Sequence, residues 1–280
     1  MENTRRYAII TLLLLLAVLT YILPSIYRGG EQARSENPSL GYVEYVEVTV
    51  LIDNHPDSSL RSPWGISLYV ETSNRTILFD AGPDPEALKL NAEKLGIDLS
   101  SIDLVVISHE HGDHIQGLRY LAEVNRGLRV YVPNGMSESC KGWIRGLGFD
   151  LVEVEETTVI SEGVAIVGEL YGPPYEQALA VNVKGLGLIV LVGCSHPGVD
   201  RLVAKAKEDL KSQPYAVIGG FHLSGASSDK IREVVENLVE LGLKKVYPIH
   251  CSGEKFRSYL KENYPEVYGE GRVGFKILFN

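Results

Sequence analysis

Cysteine is scarce in this chain, with three among 280 residues: Cys140, Cys194 and Cys251. An odd number without a C-x-x-C pair provides no disulfide framework. Positive charge is also in deficit, because 27 Lys and Arg residues stand against 36 Asp and Glu residues, a formal net charge of −9. This balance argues against a general electrostatic nucleic-acid binder and leaves open only a local basic groove. The sequence also has no repeat at a fixed period. Its length of 280 residues suits one large α/β domain or two small ones.

The N-terminal segment is strongly apolar. Tyr7 to Tyr27 is 21 residues without a charge, long enough to cross ~30 Å of hydrocarbon as a helix. Signal peptides usually have a shorter apolar core and a clear cleavage site, so a retained anchor is favoured over a cleaved signal peptide. Arg5 and Arg6 before the stretch, against Arg28 after it, weakly favour a cytoplasmic N-terminus and a folded domain outside. We therefore expect a single-pass membrane protein with an anchor over 1–28, a linker over 29–42 and a folded domain over 43–280.

Ligand-type side chains are concentrated in one stretch, where His109, His111, Asp113 and His114 fall within six residues. A short apolar, β-branched run before it predicts a buried strand, and apolar residues at helical spacing follow from His114 to about Asn125. In an extended backbone His109 and His111 point the same way, whereas Asp113 and His114 enter the first helical turn and point elsewhere. Two pairs of ligands suit two adjacent metal ions, because imidazole binds zinc, iron and similar metals and a carboxylate can complete such a site.

Polar side chains follow other predicted strands too. Six candidate strands end at a potential ligand or supporting residue, namely Asn54, Asp80, His109, Cys194 with His196, His222 and His250. Ligand sites in α/β folds gather beyond the carboxyl ends of strands. Each residue alone also fits an ordinary turn or loop, but together with the central cluster they favour one shared site.

The predicted elements run from strands to a helix and then alternate, in each half of the chain. This order favours two sheets packed face to face with helices outside, an αββα sandwich of the α/β class. In the second half we predict strands at 149–154 and 164–167 joined by an acidic turn, a loop over 171–177, and a last strand at 275–279 that closes the sheet.

The H-x-H-x-D-H motif after a hydrophobic strand resembles the metallo-β-lactamase-fold metallohydrolases, over about residues 43–280. In this resemblance Asp80 corresponds to the family's Asp that supports the metal loop, and His250 to its last metal-ligand histidine. The middle of the pattern departs from the family, which normally has a single His and then a bridging Asp. Here Cys194 stands where that Asp would be, Glu176 is the nearest candidate for the single His, and His196 follows Cys194.

The departure itself resembles one subgroup, which includes the methanopterin-pathway 7,8-dihydropterin-6-methyl-4-(β-D-ribofuranosyl)aminobenzene-5′-phosphate synthase. The similarity rests on Asp53-Asn54 and on five further segments, at 108–114, 176–179, 193–198, 219–223 and 250–253. Members of one subgroup need not share a substrate.

The resemblance implies two divalent metal ions, with Zn²⁺ as the first expectation and Fe or Mn as alternatives. The expected ligands of one ion are His109, His111 and His196, and those of the other are Asp113, His114 and His250. Asp80 would orient a ligand imidazole. Cys194 either bridges the ions as a thiolate or packs at the strand end, and His222 is either a ligand or a contact to a substrate phosphate. We expect Asp113 and His222 to be the catalytic residues.

Three functions are weighed. The first is hydrolysis of a small-molecule phosphoester, lactone or amide by a hydroxide that bridges the two ions. The second is the transferase reaction of the pterin synthase, in which the metals would bind a diphosphate leaving group; an external location would weaken it, because pterin-pathway substrates are cytosolic. The third is a metal-bound module without catalysis, against which the complete set of ligand types argues. We expect the first.

Overall fold

The computed structural model describes residues 39–57 and 59–280, and Leu40–Asn280 form one compact unit. One sheet has seven strands: β1 (Val46–Ile52), β2 (Ser67–Thr72), β3 (Thr76–Phe79), β4 (Leu104–Val106), β5 (Arg129–Pro133), β6 (Asp150–Val154) and β13 (Lys276–Phe279). Their spatial order is β13-β1-β2-β3-β4-β5-β6, and the strands from β3 to β6 are parallel.

The second sheet has six strands: β7 (Thr158–Ser161), β8 (Val164–Tyr171), β9 (Tyr175–Val183), β10 (Gly187–Val192), β11 (Pro214–Gly220) and β12 (Lys245–Ile249). Their order is β12-β11-β10-β9-β8-β7, and β10, β11 and β12 are parallel. Each sheet therefore contributes a block of parallel strands whose carboxyl ends lie at one edge, where ligand sites gather.

Helices cover the outer faces of both sheets. Residues of α1 (Pro85–Leu95), α2 (Gly112–Ile115), α3 (Leu118–Val124) and α4 (Glu138–Gly146) share a buried cluster with the first sheet. Residues of α5 (Val199–Leu210), α6 (Ser228–Glu240) and α7 (Glu254–Asn263) do the same for the second sheet. A third cluster lies between the sheets, where alternate residues such as Val46, Val48 and Val50 meet Ile189 and Leu191. The layers are thus helix, sheet, sheet and helix, and the predicted αββα sandwich is confirmed.

Local signals account for several boundaries. The Asp84 side chain accepts from the backbone N–H of Glu86 at 2.9 Å and caps the start of α1. Gly96, with φ 72°, caps its end. The single helix predicted from His114 to Asn125 is instead divided into α2 and α3. The division falls at Gly117, where a Cβ would lie 2.0 Å from the carbonyl oxygen of Ala81. This close approach packs the helix start against the loop that follows β3.

Two predictions in the second half are corrected. The acidic segment after β6 leads into an additional strand, β7, so β6 and β8 belong to different sheets. The loop predicted over 171–177 is shorter, because β8 and β9 form a hairpin in which Tyr171 pairs with Tyr175 and Leu170 with Glu176. The last predicted strand is confirmed as β13, which lies at the edge of the first sheet beside β1.

The prediction of a single-pass membrane protein with an external domain is also corrected. Among the residues that the structure describes, none of the helices has the length and apolar character needed to cross a bilayer. The stretch on which that prediction rests, Tyr7 to Tyr27, lies outside the described residues.

Candidate metal centre

The H-x-H-x-D-H motif spans the loop after β4 and the first turn of α2, at the carboxyl end of the first sheet. His109 is buried in this loop, and its Nε2 lies 3.1 Å from Nδ1 of His111, which is extended and precedes α2. Asp113 and His114 lie on the first turn of α2, and His114 is fully buried. The pairing expected from the sequence, with His109 beside His111 and the other two residues on the helix, is the arrangement observed.

Asp80, directly after β3, holds two of these histidines. Its carboxylate accepts from the Ser108 backbone N–H and the Ser108 hydroxyl, both at 2.7 Å, and from Nδ1 of His114 at 2.6 Å. The Ser108 hydroxyl in turn lies 2.9 Å from Nδ1 of His109. Because both Nδ1 atoms are engaged in this way, each imidazole presents Nε2 to the site.

Burial and pairing shape the electrostatics of this group. Burial, together with the neighbouring imidazoles, holds the pKa of His109 well below its ordinary value, so this ring is neutral near pH 7. Burial alone would lower the pKa of His114, but the Asp80 carboxylate raises it, and burial raises the pKa of Asp80. A neutral imidazole is the form that binds a metal ion.

His250 enters from the second sheet, at the end of β12. Its backbone N–H donates to the buried Asp53 carboxylate at 2.7 Å, and its Nδ1 lies 3.0 Å from Oδ1 of Asn54. Its Nε2 is buried and lies 3.3 Å from Oδ2 of Asp113 without hydrogen-bond geometry, so it has no hydrogen-bond partner in the described part of the chain. Burial would raise the pKa of Asp113, but the His250 and His114 imidazoles bring it well below its usual range.

Cys194, after β10, lies between the two halves of the site. Its buried Sγ is 3.2 Å from Nε2 of His114 and 3.4 Å from Sγ of Cys251. Interaction with Cys251 and burial raise the pKa of Cys194. Interaction with Cys194, and next with His222, lowers the pKa of Cys251 well below its ordinary value, against its own burial. The two thiols therefore interact directly, and the interaction favours ionisation of Cys251 over Cys194.

Glu176 fixes the position of His196. Its fully buried carboxylate accepts from the backbone N–H of Ser195 at 2.7 Å and of His196 at 2.8 Å, and it lies 2.9 Å from Nδ1 of His196. Burial raises the pKa of Glu176, but these hydrogen bonds bring it below its ordinary value. Glu176 is thus the hydrogen-bond partner of His196 Nδ1, which leaves Nε2 of this ring for the site.

His222, after β11, lies at the exposed edge of the site. Its ring centroid is 4.5 Å from that of His196, and its backbone N–H donates to Cys251 Sγ at 3.3 Å. Four of the five non-glycine residues with positive φ in the described chain belong to this region: Asp80, Ser195, His222 and His250. Such backbone strain persists only where the surrounding structure imposes it, and it gathers at functional sites.

Three groups of donor atoms result, each with its ligand atoms within 4.8 Å of one another. The Asp113 group contains Asp113, His114, Cys194 and His250; the His196 group contains His109, Cys194 and His196; and the Cys251 group contains Cys194, His222 and Cys251. Cys194 belongs to all three. His111 contacts His109 but lies in none of the groups, which differs from the expected ligand set.

The residues present fit a transition-metal centre. A buried imidazole nitrogen without a partner, a carboxylate held ionised and neutral imidazoles with fixed Nδ1 atoms are the donors that zinc and similar ions take. The sequence did not single out Cys251 as a donor. The only signal was its place directly after His250 at a strand end.

Comparison with known proteins finds similarity to the β-lactamase superfamily, as the motif predicts. The model of the β-lactamase superfamily domain matches residues 75–168, which include Asp80 and the whole H-x-H-x-D-H motif. The chain is 28% identical to the 7,8-dihydropterin-6-methyl-4-(β-D-ribofuranosyl)-aminobenzene-5′-phosphate synthase of Methanocaldococcus jannaschii, over 86% of this chain and 99% of that protein. It is also 28% identical to a ribonuclease Z of Aeropyrum pernix, over 75% of this chain and 66% of that protein.

A solved structure extends this likeness to three dimensions. The crystal structure of a metal-dependent hydrolase of the β-lactamase superfamily superposes with a TM-score of 0.72 at 27% identity, over 83% of this chain and 98% of that one.

Proposed function

We propose that this chain, which carries a metallo-β-lactamase-fold domain, is a binuclear metal-dependent hydrolase of a small-molecule phosphoester, lactone or amide. The observation that carries the proposal is the sharing of Cys194 between the Asp113 group and the His196 group. Two adjacent donor groups with one common atom suit two ions held a few ångströms apart. Such pairs, ~3.5–4 Å apart, serve in phosphatases, nucleases and aminopeptidases.

The proposed ligands follow from the two groups. Asp113, His114 and His250 would hold one ion, and His109 and His196, with His111 at the exposed edge, would hold the other. Cys194 would lie between them, so the geometry favours the bridging role over simple packing at the strand end. Zn²⁺ suits a set of imidazole, carboxylate and thiolate donors, with Fe as the alternative; the thiol makes Mn less suitable. When bound, the ions would supply Lewis-acid polarisation of the substrate and lower the pKa of water.

The protein's own residues have separate tasks in this proposal. Asp80 and Glu176 keep the imidazoles of His114 and His196 in the tautomer that leaves Nε2 free. Asp113 remains ionised near neutral pH and can orient a water molecule through a hydrogen bond to its carboxylate. His222, exposed at the rim, has a pKa raised by its interaction with Cys251, so it can contact an anionic substrate group or donate a proton to a leaving group.

A second candidate function is the transferase reaction of the pterin synthase. The similarity to the Methanocaldococcus protein, which extends over 99% of that protein, favours it.

The test is a substrate panel with full-length protein loaded with Zn²⁺ or Fe²⁺. Bis-p-nitrophenyl phosphate, an acyl homoserine lactone and a chromogenic amide probe hydrolysis, and condensation of a dihydropterin with ribofuranosylaminobenzene 5′-phosphate probes the transferase. Hydrolysis supports the proposal if Asp113→Ala abolishes it and Cys140→Ser retains it, because Cys140 is a half-buried thiol outside the three donor groups. Condensation alone supports the second candidate, and bound metal without any turnover contradicts both.

A further inference from the structure

Cys251 has no role in the proposed two-metal centre, yet its thiol lies beside it. The residue is buried in the single helical turn His250–Ser252 that follows β12, and its Sγ is 3.4 Å from that of Cys194. The neighbouring strand end leaves space for this sulfur, because a Cβ on Gly220 would lie 2.7 Å from Cys251 Sγ. A glycine at 220 therefore permits the two thiols to meet.

His222 completes a third set of donors with these thiols. Its backbone has φ 51°, which is uncommon for a residue other than glycine. The donated N–H···Sγ bond to Cys251 accompanies this conformation, and the ligand atoms of His222, Cys194 and Cys251 lie within 4.8 Å of one another. The imidazole is exposed, so an ion can reach the buried sulfurs from solvent past this side chain.

We propose that Cys194, His222 and Cys251 form a further metal site, for a thiophilic divalent ion such as Zn²⁺, with its fourth position open to solvent. A tetrahedral ion with metal–sulfur bonds of ~2.3 Å would hold two sulfurs ~3.8 Å apart. The observed 3.4 Å is close to this separation, so only a small movement of the thiols is needed. This site is additional to the proposed two-metal centre but shares Cys194 with it. An ion bound here would therefore withdraw electron density from the Cys194 sulfur that the two-metal centre also uses.

The test uses cobalt, which reports thiolate ligation by a near-ultraviolet charge-transfer band. Metal-free full-length protein under reducing conditions is titrated with Co²⁺, and bound ions are counted by elemental analysis after desalting. In the wild type the charge-transfer band should continue to grow after the two-metal centre is filled. Cys251→Ser should reduce the final band to about half and the ion count by about one per chain, because one of two thiolates is lost. Cys140→Ser, which changes a thiol on α4, should leave both unchanged.

A second variant keeps the test decisive if Cys251→Ser disturbs the buried turn. His222→Asn alters an exposed side chain, so it should fold normally by circular dichroism, weaken the last-bound ion by about tenfold or more and reduce the late part of the band. An unchanged titration in His222→Asn, or an unchanged band and ion count in a folded Cys251→Ser protein, would overturn the inference while the two-metal centre stands. A wild type that binds no ion at all would overturn both.

Discussion

Replacing Asp80 with Asn should weaken metal binding at both proposed ions. The Asp80 carboxylate receives three donors, the Ser108 N–H, the Ser108 hydroxyl and His114 Nδ1–H. An Asn side chain offers one acceptor oxygen and an NH₂ group, so these donors cannot all be satisfied. Where the NH₂ faces His114, the ring must accept at Nδ1 and carry its proton on Nε2. That tautomer removes the lone pair aimed at the metal.

The disturbance extends to the second ion through Ser108. Its hydroxyl links Asp80 to Nδ1 of His109, so the orientation of this imidazole depends on Asp80 as well. Loss of an outer partner of this kind typically costs 10–100-fold in metal affinity, or about 1.4–2.7 kcal/mol per ion. Activity should fall in parallel at limiting metal and recover in part at high metal concentration.

The assay is competition with a chelator of known affinity, read by elemental analysis, together with urea unfolding of the metal-free protein. Asp103→Asn is a matched control, because that carboxylate also accepts from a backbone N–H and a hydroxyl, both of Thr76, but lies at the solvent-exposed opposite end of the sheet. Metal affinity of Asp80→Asn equal to that of the control would refute the positioning role of Asp80. A metal-free Asp80→Asn protein that fails to fold would instead assign Asp80 to the stability of the domain.

Gly117→Ala should destabilise the domain by about 1–3 kcal/mol in urea unfolding, because its Cβ would lie 2.0 Å from a carbonyl oxygen. Gly142→Ala, inside α4 with nothing within 4 Å, should instead stabilise it by up to about 1 kcal/mol; equal effects would contradict the packing argument. The free energy of unfolding of the metal-free protein should fall as pH drops below about 6.5, since burial holds the pKa of folded His109 well below that value while the unfolded chain takes up the proton. His109→Asn should reduce this slope by up to about 1.4 kcal/mol per pH unit, and identical slopes would count against a neutral buried ring. At a chelator-buffered metal concentration that fills only the two-metal centre, His196→Ala should lower the metal content more than His222→Ala, because Glu176 holds His196 inside that centre. The opposite order would make His222 the third imidazole ligand.

Much of the site could be predicted because its chemistry is local. The four ligand-type residues from His109 to His114 follow a strand and begin a helix, so backbone geometry alone directs them to one place. Asp80, His222 and His250 each follow a strand of a parallel block, and the carboxyl ends of such strands meet at one edge. The layer order follows likewise from alternation of strands and helices.

The roles of Cys194 and Glu176 depended on tertiary contacts, since these contacts join residues that no local sequence pattern connects. Whether Cys194 packs, bridges or meets another thiol depended on Cys251, which is 57 residues away and arrives from a different strand. The segment before Glu176 contains Gly172 and two prolines and predicts a loop over 171–177. Pairing with β8 instead places Glu176 in β9, where its buried carboxylate reaches His196. A buried carboxylate is tolerated there only because the folded chain supplies its donors, and a sequence pattern cannot show that supply. The sequence by itself therefore determined which ligand-type residues follow the strands, because strand and helix patterns are local. The packing of the two sheets decided which sulfur and nitrogen atoms face one another.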